Sequence, residues 1–211
     1  MNLLHHRPIR FSALAILALA SLLLVLSALP QHAAPQASSG ELLLEVDPAQ
    51  SKVHWTLSTT FHTVHGTFAL KKGTMRVDLA TGKASGEIIV DAISGNSGDA
   101  GRDKKMHKDV LESSRYTDIV FRPDRVEGKI AREGTFTVQV HGVFVLHGSE
   151  HEMTVPAQAE LNADHWTASS KFNVPFIDWG LKNPSNFFAK VNHAVEIEVE
   201  LKGSLKESNS S

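Results

Sequence analysis

Between Leu42 and Leu205, apolar and polar residues alternate with a period of two, in one short run after another. The last run is the clearest: Val195, Ile197, Val199 and Leu201 interleave with Glu196, Glu198, Glu200 and Lys202. Such alternation buries one face of a strand and wets the other, as in an antiparallel sheet covered on one side. The runs predict strands over Leu42–Val46, Val53–Leu57, Val64–Leu70, Thr74–Leu79, Gly86–Ala92, Asp118–Arg122, Thr135–Leu146, Met153–Leu161, Trp166–Phe176 and Ala194–Leu201. Turn signals separate them at Asp47-Pro48, at Lys72-Gly73 and at Thr81-Gly82. No second layer of helices is available to cover this sheet. It must therefore fold on itself, as a mainly β, antiparallel, eight-stranded barrel or, without closure, as a sandwich.

Two stretches break the alternation. Asn96 to Ser114 reads as a short helix between strands, capped by Ser97 or Asp99 and running to about Glu112, with Met106 and Val110 on one face. Such a helix would lid one end of a barrel. Ile177 to Lys190 is irregular, with Asn183-Pro184 as a cap and first position for a single helical turn. It carries Trp179, Phe187 and Phe188 on a loop.

The first forty residues are of another kind. Arg7 and Arg10 precede Phe11–Leu29, a run without charge, which is the grammar of an N-terminal apolar helix serving export. Residues 1–30 read as a signal peptide or as an uncleaved membrane anchor, since the run is nearly long enough to span a bilayer. In either case the rest is expected in the periplasm or outside the cell, in the second case tethered to the inner membrane through 11–29. Residues 31–41 read as a flexible spacer, 42–205 as the folded domain and 206–211 as a disordered tail.

Composition narrows the chemistry. The chain has no cysteine, which excludes disulfides, thiolate metal sites, cysteine nucleophiles and lipoprotein acylation. All but two of its 21 Lys and Arg lie beyond residue 40, against all 23 Asp and Glu, so the exported part is mildly acidic. No basic run stands out, and nucleic acid is not expected as a partner. Nucleophile elbows, zinc-protease helices and phosphate-cradling glycine loops are all missing. Twelve histidines are the main invitation to metal chemistry, with His62 and His65, or His147 and His151, as convergent pairs. Surface imidazoles at strand ends are the simpler reading, since there is neither a cysteine nor a carboxylate at diagnostic spacing. Val143 and Val145, apolar where polar residues are expected, leave open a contact surface for envelope proteins or a homodimer.

One set of residues stands on the inward parity: Trp55, Phe68, Phe121, Phe136, Phe144, Trp166, Phe172 and Phe176. In a barrel of eight strands, such side chains either fill the interior or leave one ligand cavity. Arg102, near the helix start, is placed either to receive a phosphate or carboxylate or to pair with Asp99, Asp103 or a loop carbonyl.

Several short motifs, in order, resemble the YceI-like family of lipid- and polyisoprenoid-binding exported proteins. They are Asp47-Pro48 with Ser51 and Val53; Gly66-Thr67-Phe68 after His62; Ile93-Ser94; Arg102-Asp103; Tyr116 with Ile119 and Phe121; Gly142 with Phe144; His147-Gly148; and Asp178-Trp179-Gly180. The resemblance spans about Leu42 to Leu205. It implies a lipocalin-like barrel whose apolar tunnel holds an isoprenoid quinone, polyprenyl phosphate or fatty-acid-like lipid, with no cofactor and no catalysis. The inward aromatics would then grip the tail, Arg102 and His107 would meet a polar head, and Trp179, Phe187 and Phe188 would gate the mouth. A histidine-dependent metal or redox protein acting on a quinone, and a structural envelope interaction domain, are the alternatives.

Overall fold

A computed structural model describes residues 40–185 and 190–208. The N-terminal apolar segment, nearly all of the spacer, Phe187 and Phe188 lie outside the described residues. The strands are β1 Glu41–Val46, β2 Lys52–Ser58, β3 Thr63–Asp78, β4 Ala84–Asn96, β5 Asp118–Glu127, β6 Gly134–Leu146, β7 Ser149–Asn162, β8 His165–Val174 and β9 Val195–Ser208. Between β4 and β5 lies one helix, α1 (Ala100–Lys105), which runs on into a π turn over Met106–Val110.

Every neighbour is antiparallel, and pairing of β3 with β4 closes the sheet into a barrel. Nine strands occupy eight places in the ring, because β1 and β2 share one. Both lie between β3 and β9: Leu42 faces Val77 and Glu207, while Trp55 faces Gly66 and Ile197. The break between them is chemical. The Asp47 carboxylate accepts from Ala49 N at 2.9 Å and Gln50 Nε2 at 2.6 Å, tying the chain into a turn that a strand cannot pass through. Lys202 N donates to Ser51 Oγ at 3.2 Å and Asp47 N to Lys202 O at 2.8 Å, so the turn stays docked on β9. Next to it, a Cβ on Gly203 would stand 1.8 Å from Glu45 O. Only glycine lets β1 approach this closely.

Several strands run longer than the sequence reading, β4 to Asn96, β5 to Glu127 and β7 from Ser149, and two further differences change the architecture. Val64–Leu70 and Thr74–Leu79 form one strand, β3, and Lys72-Gly73 is not a turn. A register shift between Leu70 and Lys72 lets both Lys71 and Lys72 face solvent, and Gly73 then faces inward against Val46. The doubled lysine marks a bulge. At the other end, β9 runs three residues past Leu205, with Lys206 opposite Leu43.

The two ends of the barrel are built differently. At the far end, short hairpins join the strands, and Leu42, Leu161, Trp166 and Leu205 form a plug in which Leu42 and Leu161 keep 2% of their exposure. Trp166 Nε1 donates to Glu45 O at 3.3 Å, so the plug's one polar atom is satisfied. The long connections, α1 among them, all lie at the opposite end.

Candidate ligand cavity and its mouth

Inside the barrel are two chambers. The lower one, of about 200 Å³, rests on the plug and is lined by Phe121, Phe136, Trp166 and Phe172 among aliphatic side chains, with Ser169 and Ser170 its only polar residues. The upper one, of about 470 Å³, is lined by Trp55, Phe176, Met106, Val110 and Leu181, and at its rim by Thr59, His62, Arg102 and Lys105. Phe68, Ile119, Phe144 and Ile197 line both and stand at the waist between them. Neither lining contains a carboxylate. Against about 300–1,000 Å³ for small-molecule sites, the upper chamber is of ordinary size and the lower extends it inward.

Small residues make the room. β7 and β8 contribute Ala157, Ala159 and Ala168 to the lower lining, and Ala159 pairs directly with Ala168. Above, Trp55 lies flat across Gly66, where a Cβ would stand 2.3 Å from the indole ring. That glycine lets a tryptophan serve as wall without filling the chamber. Trp55 Nε1 is buried with no hydrogen-bond partner among the described residues.

The mouth is organised by α1. Asp99, not Ser97, is the cap: its carboxylate accepts from Arg102 N at 2.8 Å. Ser97 is instead held by Asp103, which accepts from both its N, at 2.9 Å, and its Oγ, at 2.5 Å. Arg102 donates Nε to Ser97 Oγ at 2.9 Å and lines the upper chamber. Its side-chain partner is thus the Ser97 hydroxyl and not the Asp99, Asp103 or loop carbonyl considered in sequence, and the residue still lines the chamber. Lys105, one turn on, donates to Pro184 O at 3.1 Å and tethers α1 to the opposite rim. Met106 and Val110 face the chamber, as their spacing predicts.

His107 is placed elsewhere. Its Nε2 lies 2.9 Å from Gly95 O and its Nδ1 3.0 Å from Ser113 Oγ, which fixes the ring under the π turn with both nitrogens engaged. It lines neither chamber. Trp179 does not line one either. It stacks on His151 with centroids 4.1 Å apart and planes 1° from parallel, and it touches Phe144 at 5.7 Å. This covers the side of the barrel where β7 and β8 part: their ladder runs only from Gln158 opposite Ser169 to Asn162 opposite His165. Pro156, which has no N–H, stands where the ladder stops, and Ser170 Oγ donates to its carbonyl at 2.6 Å. Above that point side chains close the wall.

Three contributors were missed in sequence. Lys105 was legible, three residues after Arg102 on the same helix face. His151 was legible too, since the inward parity of Met153–Leu161 extends back to it. His62 and His151 were considered in sequence only as metal ligands. Among the described residues no group of three His, Asp or Glu is close enough to hold a metal.

A model of the YceI-like domain matches residues 44–203. The chain belongs to the YceI-like domain family. Solved structures share its fold at low identity. Burkholderia cenocepacia BcnA aligns with a TM-score of 0.63 and 19% identity, over 75% of this chain and 99% of its own. A polyisoprenoid binding domain from Saccharophagus degradans, implicated in plant cell wall breakdown, aligns with a TM-score of 0.61 and 15% identity, over 77% and 98%. The Campylobacter jejuni YceI protein follows at 0.50 and 14%, over 70% and 84%. No curated protein matches the chain. Shared fold places the YceI-like barrel around the cavity; what fills the cavity is a separate question.

Proposed function

We propose that this YceI-like protein is an exported, non-catalytic carrier for a single-chain lipid with an anionic head, a polyprenyl phosphate or fatty-acid-like molecule. The observation that carries the reading is the polarity gradient of the cavity. Its lower chamber is apolar apart from two serines, while its rim bears Arg102, Lys105 and His62 with no carboxylate in the lining. Burial of each methylene contributes on the order of 0.8 kcal/mol, so a long tail binds tightly without covalent chemistry. A guanidinium and an ammonium suit a phosphate or carboxylate better than a neutral quinone head. In this reading Phe68 and Phe144 hold the chain at the waist, Phe121, Phe136, Phe172 and Trp166 surround its end, and Trp55 and Phe176 flank the part near the head. The polyisoprenoid binding of the Saccharophagus degradans domain supports the ligand class. Arg7 and Arg10 before the uncharged Phe11–Leu29 support export.

Organic extraction of the purified protein, followed by mass spectrometry, tests the reading. The expected result is an anionic single-chain lipid near one per protein. A lipid-free extract, together with no uptake of added polyprenyl phosphate or fatty acid, would overturn it.

A further inference from the structure

The mouth end carries two surface features that holding a ligand does not require. The first is apolar. Among the described residues the only exposed large hydrophobic side chains are Phe61, at 72%, and Ile93, at 54%, and both lie on the half of the barrel nearest the mouth. Phe61 is the tip of the β2–β3 hairpin, between Thr59 and His62, which line the upper chamber. Its exposure is imposed by the turn. Thr59 N donates to His62 O at 2.9 Å, Phe61 N to Thr59 Oγ1 at 3.3 Å, and Thr60 N to Lys190 O at 2.9 Å. The ring is held outward at the rim.

The second feature is charge. On the barrel wall, cations stand against carboxylates: Lys71 against Asp91 and Asp118, Lys171 against Glu196 and Glu198, Arg122 against Glu150. At the mouth, Arg102, Lys104, Lys105, Lys108 and Lys190 make no ion pair among the described residues. The same stretch carries Asp99, which caps the helix, Asp103, which holds Ser97, and Asp109, 3.9 Å from Lys182. These carboxylates keep their charge, and with Lys182 and Lys190 six cations stand against the three of them. Lys83 and Lys129, at the far end, are also outside any ion pair among the described residues, but no exposed large apolar side chain accompanies them.

We propose that this face docks on an anionic lipid bilayer, with Phe61 entering the interface and the cations of α1 and Lys190 lying over the head groups. An apolar wedge ringed by cations combines the two forces that hold peripheral proteins on membranes. A protein partner fits less well. A stable protein interface needs roughly 800 Å² from each side, and Phe61 is a lone tip, not a patch. Docked in this way, the mouth faces the bilayer, and a lipid reaches the upper chamber without crossing water. That last step rests on the carrier reading; the docking does not.

The test uses the full cysteine-free chain with a single added thiol. Phe61→Cys and, at the far end, Glu133→Cys are each labelled with an environment-sensitive fluorophore and mixed with phosphatidylcholine vesicles with or without phosphatidylglycerol. The expected result is a blue shift and quenching by lipid-borne quenchers at position 61 only, stronger on anionic vesicles and reduced by salt. The N-terminal segment joins the domain at the far end, where Gly40 lies against Arg132, so membrane capture through that segment alone would favour the position-133 probe and not the position-61 probe. Lys104→Glu with Lys108→Glu should weaken the anionic-vesicle response of the position-61 probe about tenfold or more. No response at position 61, equal responses at both positions, or indifference to lipid charge would overturn the proposal. Extraction of a bound lipid tests the carrier reading separately, so failure of one is distinguishable from failure of the other.

Discussion

The two ends of this barrel are made of the same alternating strands and do opposite things. At the far end the hairpins are short, the ladder of β7 with β8 is hydrogen-bonded, and Leu42, Leu161 and Trp166 are buried almost completely. At the mouth that ladder has stopped at Pro156, the connections after β4 and β8 are long, and Trp179, His151 and Phe144 close the wall by ring contacts. The difference teaches that closure and capacity are set by different residues. Large side chains and paired backbone make a floor, and alanines, one glycine and one proline make the space above it.

The sharpest break of this comparison is at the floor. Trp166→Ala removes the largest plug residue and should cost about 3–5 kcal/mol in urea unfolding, whereas Phe61→Ser at the rim should leave the midpoint unchanged. Equal losses would mean that the ends are not distinct.

A second change probes the space itself. In a filled core, Ala168→Leu would cost about 1–3 kcal/mol by overpacking. With a lower chamber of about 200 Å³ beside it, the variant should be as stable as the parent or slightly more so, while losing affinity for the longest chains. Calorimetry and ligand titration on the same sample would read both.

The seam between β7 and β8 is a subtler target. The Pro156 carbonyl points toward β8, since Ser170 donates to it, so a residue with an N–H there would aim its donor the same way. Pro156→Thr should extend the ladder, gain up to about 1 kcal/mol and raise hydrogen-exchange protection over 171–173. Unchanged exchange would show that side chains alone keep the seam apart.

The smallest effect is on pH, and it lies on the wall. Hydrogen bonds from Lys171 to Glu198 and from Lys206 to Glu45 hold both carboxyls below the usual 4.5. Their contribution is present above that value and fades as pH falls through the lowered folded values. Lys171, bonded to Glu196 and Glu198, is pushed up from 10.5 to about 12, so its contribution persists below 10.5 and is lost as pH rises toward 12. These groups lie at the solvent-facing surface, and salt screens them. Unfolding midpoints across pH should therefore show shallow shoulders at both extremes and a flat centre.

Much of this was legible in the residues. Parity alone located Phe68, Phe121, Phe136, Phe144, Trp166 and Phe172 around one interior, because a strand offers only two faces. Parity could not show that Phe68 and Phe144 stand at a waist, since that depends on register between strands far apart in sequence. Nor could it separate the lysine pair of a bulge from that of a turn, because both put consecutive polar residues outward. His107 and Trp179 were assigned to the mouth because they lie on the interruptions. One is held by Gly95 and Ser113, the other covers a seam created by a proline on a different strand.

The central claim, that a chain threads from a cationic rim through the waist to the floor, has a direct test. Prenyl phosphates of increasing length can be titrated while tryptophan emission is followed, since Trp55 lines the upper chamber and Trp166 the lower. Affinity should rise with each isoprene unit until the chain fills both chambers, and Trp166→Phe should remove the part of the emission change that appears only with the longer chains. An affinity indifferent to chain length, or an emission change already complete with the shortest chain, would contradict it.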